Sequence, residues 1–211
     1  MTKEKVLRVI ILFIGLVIAH LGVTLFLLAD LGADPFNVFI QGLFRLFGVY
    51  VPVLTHGITH MVICFLIIVI LLFVDKSYIK IGTVICMFFG GPIIDVFTML
   101  LTPMDISNYM FGFKVVVLAL GCAILAFGMT IVIKSEAGTG PNDLVAVVIS
   151  EKRKWRFGIV RIAVDFSFII VGAILGGKFG IGTIICAFLV GPVADFFLPK
   201  SEMIVKKMLK C

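Results

Sequence analysis

Charge is scarce in this chain: only 14% of its 211 residues are Asp, Glu, Lys or Arg, against 62% hydrophobic residues and a mean hydropathy of +1.26. A domain of this size has too much surface to hide that apolar content in one water-soluble core. A soluble globular fold is therefore excluded, and lipid is the solvent. Histidine is also scarce, with three residues, and no HExxH helix, GxSxG elbow, Walker loop or clustered Cys/His set occurs. No nucleophile, metal site, cofactor site or nucleotide loop is marked, so the chain does not read as an enzyme. The five cysteines, at 64, 86, 122, 186 and 211, have neither paired nor metal-like spacing. Four of them fall inside apolar segments, where cysteine behaves as a small packing residue. Cys211 comes last in the sequence without a prenylation motif, so no lipid anchor is expected.

Long apolar runs dominate what is present. Crossing a hydrocarbon layer of about 30 Å takes roughly 20 helical residues. Six segments suffice: Val9–Leu28, Leu54–Val74, Ile81–Leu101, Val115–Ile133, Phe157–Gly176 and Gly180–Leu198. The first is too long for a signal peptide and is followed by no small-residue cleavage site, so it is expected to be a permanent helix. Lys and Arg in short loops stay cytoplasmic. With the amino terminus inside, the inner segments hold Lys3, Lys5, Arg8, Lys76, Lys80, Lys134, Lys152, Arg153, Lys154, Arg156, Lys200, Lys206, Lys207 and Lys210, fourteen of the eighteen basic residues. Both termini are thus expected in the cytoplasm. The net charge of +6 follows from this bias and from attraction to anionic head groups, and is no sign of a nucleic-acid partner.

The chain is duplicated. Residues 81–95 (IGTVICMFFGGPIID) and 181–195 (IGTIICAFLVGPVAD) are identical at nine of fifteen positions at an offset of 100. At an offset of 106, Gly15, Gly22, Thr24, Gly32 and Pro35 meet Gly121, Gly128, Thr130, Gly138 and Pro141, with Asp30 opposite Glu136 and Asn37 opposite Asp143. At 101, Gly57-Ile58 meets Gly158-Ile159 and His60 meets Arg161. The copies are residues 1–103 and 104–211, integrated into one membrane domain. Three crossings per copy, an odd number, set the second copy upside down relative to the first. The fold expected is all-α and polytopic, with six crossings in two inverted three-helix repeats. Each repeat adds one short interfacial or re-entrant helix after a Gly-Pro loop, the first from Pro35 with Asp34 as its cap. The second follows Pro141 for about ten residues, too few to span.

The segments LGADPFNVF, GTGPNDL, GIVRIAVDF, LGGKFGIGT and GPVADFF, spread from Gly15 to Phe197, resemble the bacterial YczE/YyaS/YitT-type integral membrane proteins, nearest the YczE branch. The resemblance implies a multi-pass protein of the bacterial plasma membrane and brings no substrate with it.

Function is argued from polar groups that lipid makes costly. His56 and His60 lie in the second crossing, Asp95 in the third, Arg161 and Asp165 in the fifth and Asp195 in the sixth. Expected pairings are His60 with Asp95 and Arg161 with Asp195, while Arg161 and Asp165 share a helix face at i, i+4. Two readings stand: a polar pathway for a solute, cation or proton formed by His60, Asp95, Arg161, Asp165 and Asp195, or structural salt bridges. Gly91-Pro92 and Gly191-Pro192 are expected to kink or unwind their helices, as at transporter binding sites, or else to allow close packing. The loop residues Asp34, Pro35, Asn37, Pro141, Asn142 and Asp143 serve as caps and chain reversals or as polar contacts to a substrate. His20 reads as a packing residue. The function expected is a permease for a small solute or ion. The alternatives are a substrate-binding subunit working with an ATPase module, or a membrane accessory protein with a protein partner.

Overall fold

Lipid offers a peptide group no hydrogen-bond partner, so each crossing must satisfy its backbone internally, as a helix does. The computed structural model describes residues 3–48 and 56–209 and, among these, contains helices and no strand. The α-helices are α1 (Lys3–Leu28), α2 (Pro35–Gly48), α3 (His56–Asp75), α4 (Ile81–Leu101), α5 (Phe111–Lys134), α6 (Pro141–Arg153), α7 (Phe157–Ile174) and α8 (Ile181–Leu209). All but α2 and α6 are long and apolar enough to cross a membrane, six crossings in all. The 14 residues of α2 and 13 of α6 extend only about 20 Å, less than a hydrocarbon layer. Leu54, the expected start of the second crossing, and Lys210 and Cys211 lie outside the described residues.

The last crossing runs past Leu198, where the sequence led us to end it, through Pro199 to Leu209. Packing against α5 offsets the hydrogen bond lost at the proline. Ser201 Oγ lies 2.7 Å from Thr130 Oγ, and Glu202 pairs with Lys134 at 2.7 Å. Neither α4 nor α8 unwinds at Pro92 or Pro192. At Gly191 the backbone instead approaches α7, where a Cβ would meet the Gly158 carbonyl oxygen at 2.5 Å; at Gly91 a Cβ would meet nothing within 4 Å.

The centre of the bundle is the α1–α5 pair. Its helices touch backbone to backbone: a Cβ on Gly15 would come within 3.0 Å of the Gly128 carbonyl, and one on Gly22 within 2.5 Å of the Gly121 carbonyl. Only glycine admits such an approach. Because the earlier residue of α1 faces the later one of α5, the two helices run antiparallel. Around them α4 packs on α1, α8 packs on α5, and α3 and α7 enclose α2 and α6. The first turns of α1 meet the end of α8, where Leu7 and Ile11 join Val205, Met208 and Leu209, so both ends of the described chain lie on one face, here called the terminal face.

The two Gly-Pro loops have the same backbone. Asp30 and Glu136 sit at φ of 50° and 57°, and Gly32 and Gly138 at 135° and 140°, a region that favours glycine. Each loop serves the other half. Gly182 N–H donates to Leu31 O and Gly82 N–H donates to Ala137 O, both at 2.8 Å, so each loop supplies a carbonyl to an otherwise unpaired donor at a helix start.

Gly128→Leu is expected to lower stability by more than ~2 kcal/mol, because its side chain would collide with the α1 backbone. Gly91→Ala should be neutral or stabilising by up to ~1 kcal/mol. Thermal unfolding of the purified variants in detergent measures both, and the reverse ranking would contradict the α1–α5 contact as the organising one.

Candidate functional site

A carboxylate in the first turn of a helix is favoured by the positive end of the helix dipole. Asp143 has that place in α6, after the N-cap Gly140 and Pro141 at the first helical position. On α7, Arg161 and Asp165 stand one turn apart on the same face. Arg161 joins the two helices: its Nε donates to Asp165 Oδ2 at 2.9 Å and Nη1 donates to Asp143 Oδ1. Nη1 also lies 3.8 Å from the sulfur of Met129 on α5. Asp165 is 1% exposed, and its Oδ1 receives no hydrogen bond. Asp34, just before α2, is close enough to act electrostatically on Asp165, and Asp143 acts in the same way on His20, Cys64 and Cys86. The loop before α2 and helices α1, α3, α4, α6 and α7 therefore meet at one interior region.

One guanidinium faces two carboxylates here before Asp34 is counted. With all groups ionised the cluster carries excess negative charge, and an uncompensated buried charge costs several kcal/mol. A proton, a small cation or the ammonium group of a solute would neutralise it. In the first half Asn37, His60 and Cys64 stand at the positions of Asp143, Arg161 and Asp165. His60 Nδ1 lies 3.7 Å from Cys64 Sγ, and its ring packs edge-on to Phe36 with centroids 5.4 Å apart. The charged trio is thus confined to one half.

The other sequence-derived candidates take separate places. Asp195 does not reach Arg161. It accepts from Gly158 N–H at 2.8 Å and lies 3.4 Å from Arg156, capping the start of α7, where the unpaired backbone donors are the nearer claimant. Asp95 is exposed on α4, a helix that packs mainly on α1. The side chain of His56 lies outside the described residues. Asp34 caps α2, accepting from Asn37 N–H at 3.2 Å and from Asn37 Nδ2 at 2.5 Å. Asn142 Nδ2 donates to Asp143 Oδ1 at 3.0 Å. Pro35 and Pro141 are the first residues of α2 and α6.

His20, expected to be a packing residue, lies between α1 and α4. Its Nδ1 lies 2.7 Å from Leu16 O, and its Nε2 faces α4 at Gly90, where a Cβ would stand 2.9 Å away. The repeat partners of His20 and Gly90 are Ala126 and Val190. The second half thus fills with a valine against an alanine the space that the first half fills with an imidazole against a glycine. That exchange of sizes is visible once the copies are aligned.

The family described as "Family of unknown function (DUF6198)" matches residues 6–199. The chain is 32% identical over 202 residues to the "Uncharacterized membrane protein YczE" of Bacillus subtilis (strain 168), covering 95% of this chain and 90% of that one. It is 25% identical over 190 residues to the "Uncharacterized protein YyaS" of the same organism, covering 90% and 91%. An uncharacterized Haemophilus influenzae protein is 32% identical over 79 residues, 37% of this chain and 36% of that one. No solved structure matches. The relation to the YczE type read from the sequence motifs is therefore confirmed.

Arg161→Met should lower stability by about 3–5 kcal/mol, because it strands Asp143 and Asp165 without their cation. Asp165→Asn keeps the shape, removes the surplus charge and should change stability by less than ~1 kcal/mol. Thermal unfolding in detergent distinguishes them; equal losses would mean that Arg161 does not hold the cluster together.

Proposed function

The chain belongs to the family of unknown function DUF6198, and we propose that it is a permease-like protein of the bacterial plasma membrane that moves a small solute or ion by exposing the Asp143–Arg161–Asp165 cluster to each face in turn. The observation that carries this reading is the surplus interior carboxylate with its unbonded Asp165 Oδ1. A salt bridge kept only to tie helices would need equal numbers of opposite charges, whereas a site that loads and releases a cation or proton needs one negative charge in excess. Ionisable groups inside a bilayer normally mark such paths.

In this reading residues 1–103 and 104–211 are two halves inverted about an axis in the membrane plane. Support comes from the antiparallel register of Gly15 with Gly128 and Gly22 with Gly121, and from the reciprocal bonds of Leu31 with Gly182 and Ala137 with Gly82. Alternating exposure about a central site is the recognised use of such a plan. The terminal face would be cytoplasmic, since Lys3, Lys5, Arg8, Lys76, Lys80, Lys134 and the run Lys152–Arg156 gather there. Any energy would come from an ion gradient or from a separate ATPase, because the chain has no nucleotide loop of its own.

Single-cysteine labelling of intact cells in a cysteine-free background should protect residue 152 and label residue 108. The opposite pattern would overturn the orientation. For the site, we expect a thermal-shift screen of Na⁺, Li⁺, amino acids and small amines on purified protein to find a compound that stabilises the wild type by ~2.7 kcal/mol at a hundred times its Kd. That shift should vanish in Asp165→Asn. A hit that stabilises Asp165→Asn equally would refute the cluster as the binding site, and co-purification with an ATPase would make the chain a subunit of a larger importer.

A further inference from the structure

On the terminal face a vestibule of about 370 Å³ opens between the segment 77–80 and α6. Its walls include Ser77 and Lys80 on one side and Val147 and Glu151 on the other, and its floor includes Gly138, Thr139 and Leu144. Leu144 directly follows Asp143, whose side chain is 20% exposed while that of Asp165 is 1% exposed. The vestibule thus reaches α6 one residue from Asp143, the more open side of the cluster.

The repeat gives this vestibule a counterpart on the opposite face. Gly138, Thr139, Leu144, Val147 and Glu151 correspond to Gly32, Ala33, Val38, Gln41 and Arg45, and the segment 77–80 corresponds to 177–180. There the two walls are in contact. Gln41 Oε1 accepts from Lys178 N–H at 2.7 Å, and Arg45 Nη1 donates to Gly176 O at 2.6 Å. Gly177 lies so close to α2 that a Cβ there would strike the Val38 carbonyl. The deeper contacts do not differ between the faces: Gly82 with Ala137 and Gly182 with Leu31 both stand at 2.8 Å. The asymmetry therefore begins only above that level, where Gln41 and Arg45 are bonded to the backbone across from them, whereas Val147 and Glu151 line the vestibule and it is the Tyr78 side chain that reaches Glu151.

We propose that Gln41 and Arg45 form a gate on the face opposite the termini, closed in this structure, while the matching position on the terminal face stands open. The proposal rests on the alternating-exposure reading above. In the alternate state Gln41 and Arg45 release the 176–178 segment, and Ser77 and Lys80 approach Val147 and Glu151. Lys80 and Glu151 then form the closing ion pair. In this structure the Lys80 ammonium donates instead to Glu136 O at 2.8 Å. Lys152, next to Glu151, is held to α3 by its bonds to Val74 O at 3.2 Å and Asp75 at 3.7 Å, so the gap closes by movement of the 77–80 segment and the Lys80 side chain towards α6.

The test uses cross-linking in a background without native cysteines and needs no solute. With a short thiosulfonate cross-linker, the pair Gln41→Cys with Lys178→Cys should link at least tenfold faster than the pair Ser77→Cys with Val147→Cys. Adding Arg45→Ala and Gln41→Ala to the second pair should raise its rate several-fold; Arg45→Ala alone should do so in part, in case the double release unfolds the protein. Size-exclusion profiles confirm that each variant is folded. Equal rates for the two pairs, or a 77–147 rate indifferent to release of Arg45, would overturn the gate. A positive cross-linking result beside a failed ligand screen would leave the gate standing and remove the permease reading, whereas the converse would remove the gate alone.

Discussion

Two helix backbones can touch only where no Cβ stands between them, and the rest of the bundle is arranged around one such contact. Gly15 and Gly22 on α1 against Gly128 and Gly121 on α5 bring the two halves into register. In lipid there is no hydrophobic gain from hiding one apolar surface against another, so close packing is what holds helices together. Once α1 and α5 are fixed, α4 and α8 follow on their outer sides and the Gly-Pro loops come within reach of Gly182 and Gly82. The short helices α2 and α6 are then held between α3 and α7, with Asp34 and Asp143 at their starts.

That placement decides the electrostatics. A helix of 13 or 14 residues cannot carry its first turn out to water from mid-membrane, so the polar residues capping it must find partners inside. Asp34 finds Asn37, and Asp143 finds Arg161. Arg161 then also holds Asp165, and a single guanidinium serves both. The fixed fork of arginine suits this double role better than the point charge of lysine would. The imbalance left over distinguishes the second half chemically from the first, where Asn37, His60 and Cys64 stand at the same places.

Much of this was legible in the sequence. Apolar length gave the six membrane-length helices, and Asp34 before Pro35 gave the cap of α2. Asp165 stood out as the deepest carboxylate, and Arg161 four residues earlier as its partner. What the sequence did not yield was lateral neighbourhood. Apolar runs and loop charges assign a residue its depth, and at equal depth Asp195 seemed as good a partner for Arg161 as any. It is the rotation of α8 that turns Asp195 to the start of α7, and the insertion of α6 that brings Asp143 to Arg161. Asp95 and His60 were paired for the same reason, and Asp95 lies exposed on α4, whose main neighbour is α1. The prolines misled in another way: their local cost was clear, but packing that keeps α8 helical through both Pro192 and Pro199 is a tertiary effect.

The crossed loops also set an order in time. Gly82 near the start of α4 gives its N–H to Ala137, a carbonyl synthesised about 55 residues later, some 3–11 s at ~5–20 residues per second. During that interval the first three crossings are already in the bilayer with this donor unmatched, and Gly182 must still arrive to use the waiting Leu31 carbonyl. The first half is therefore an unfinished object while the second is being made.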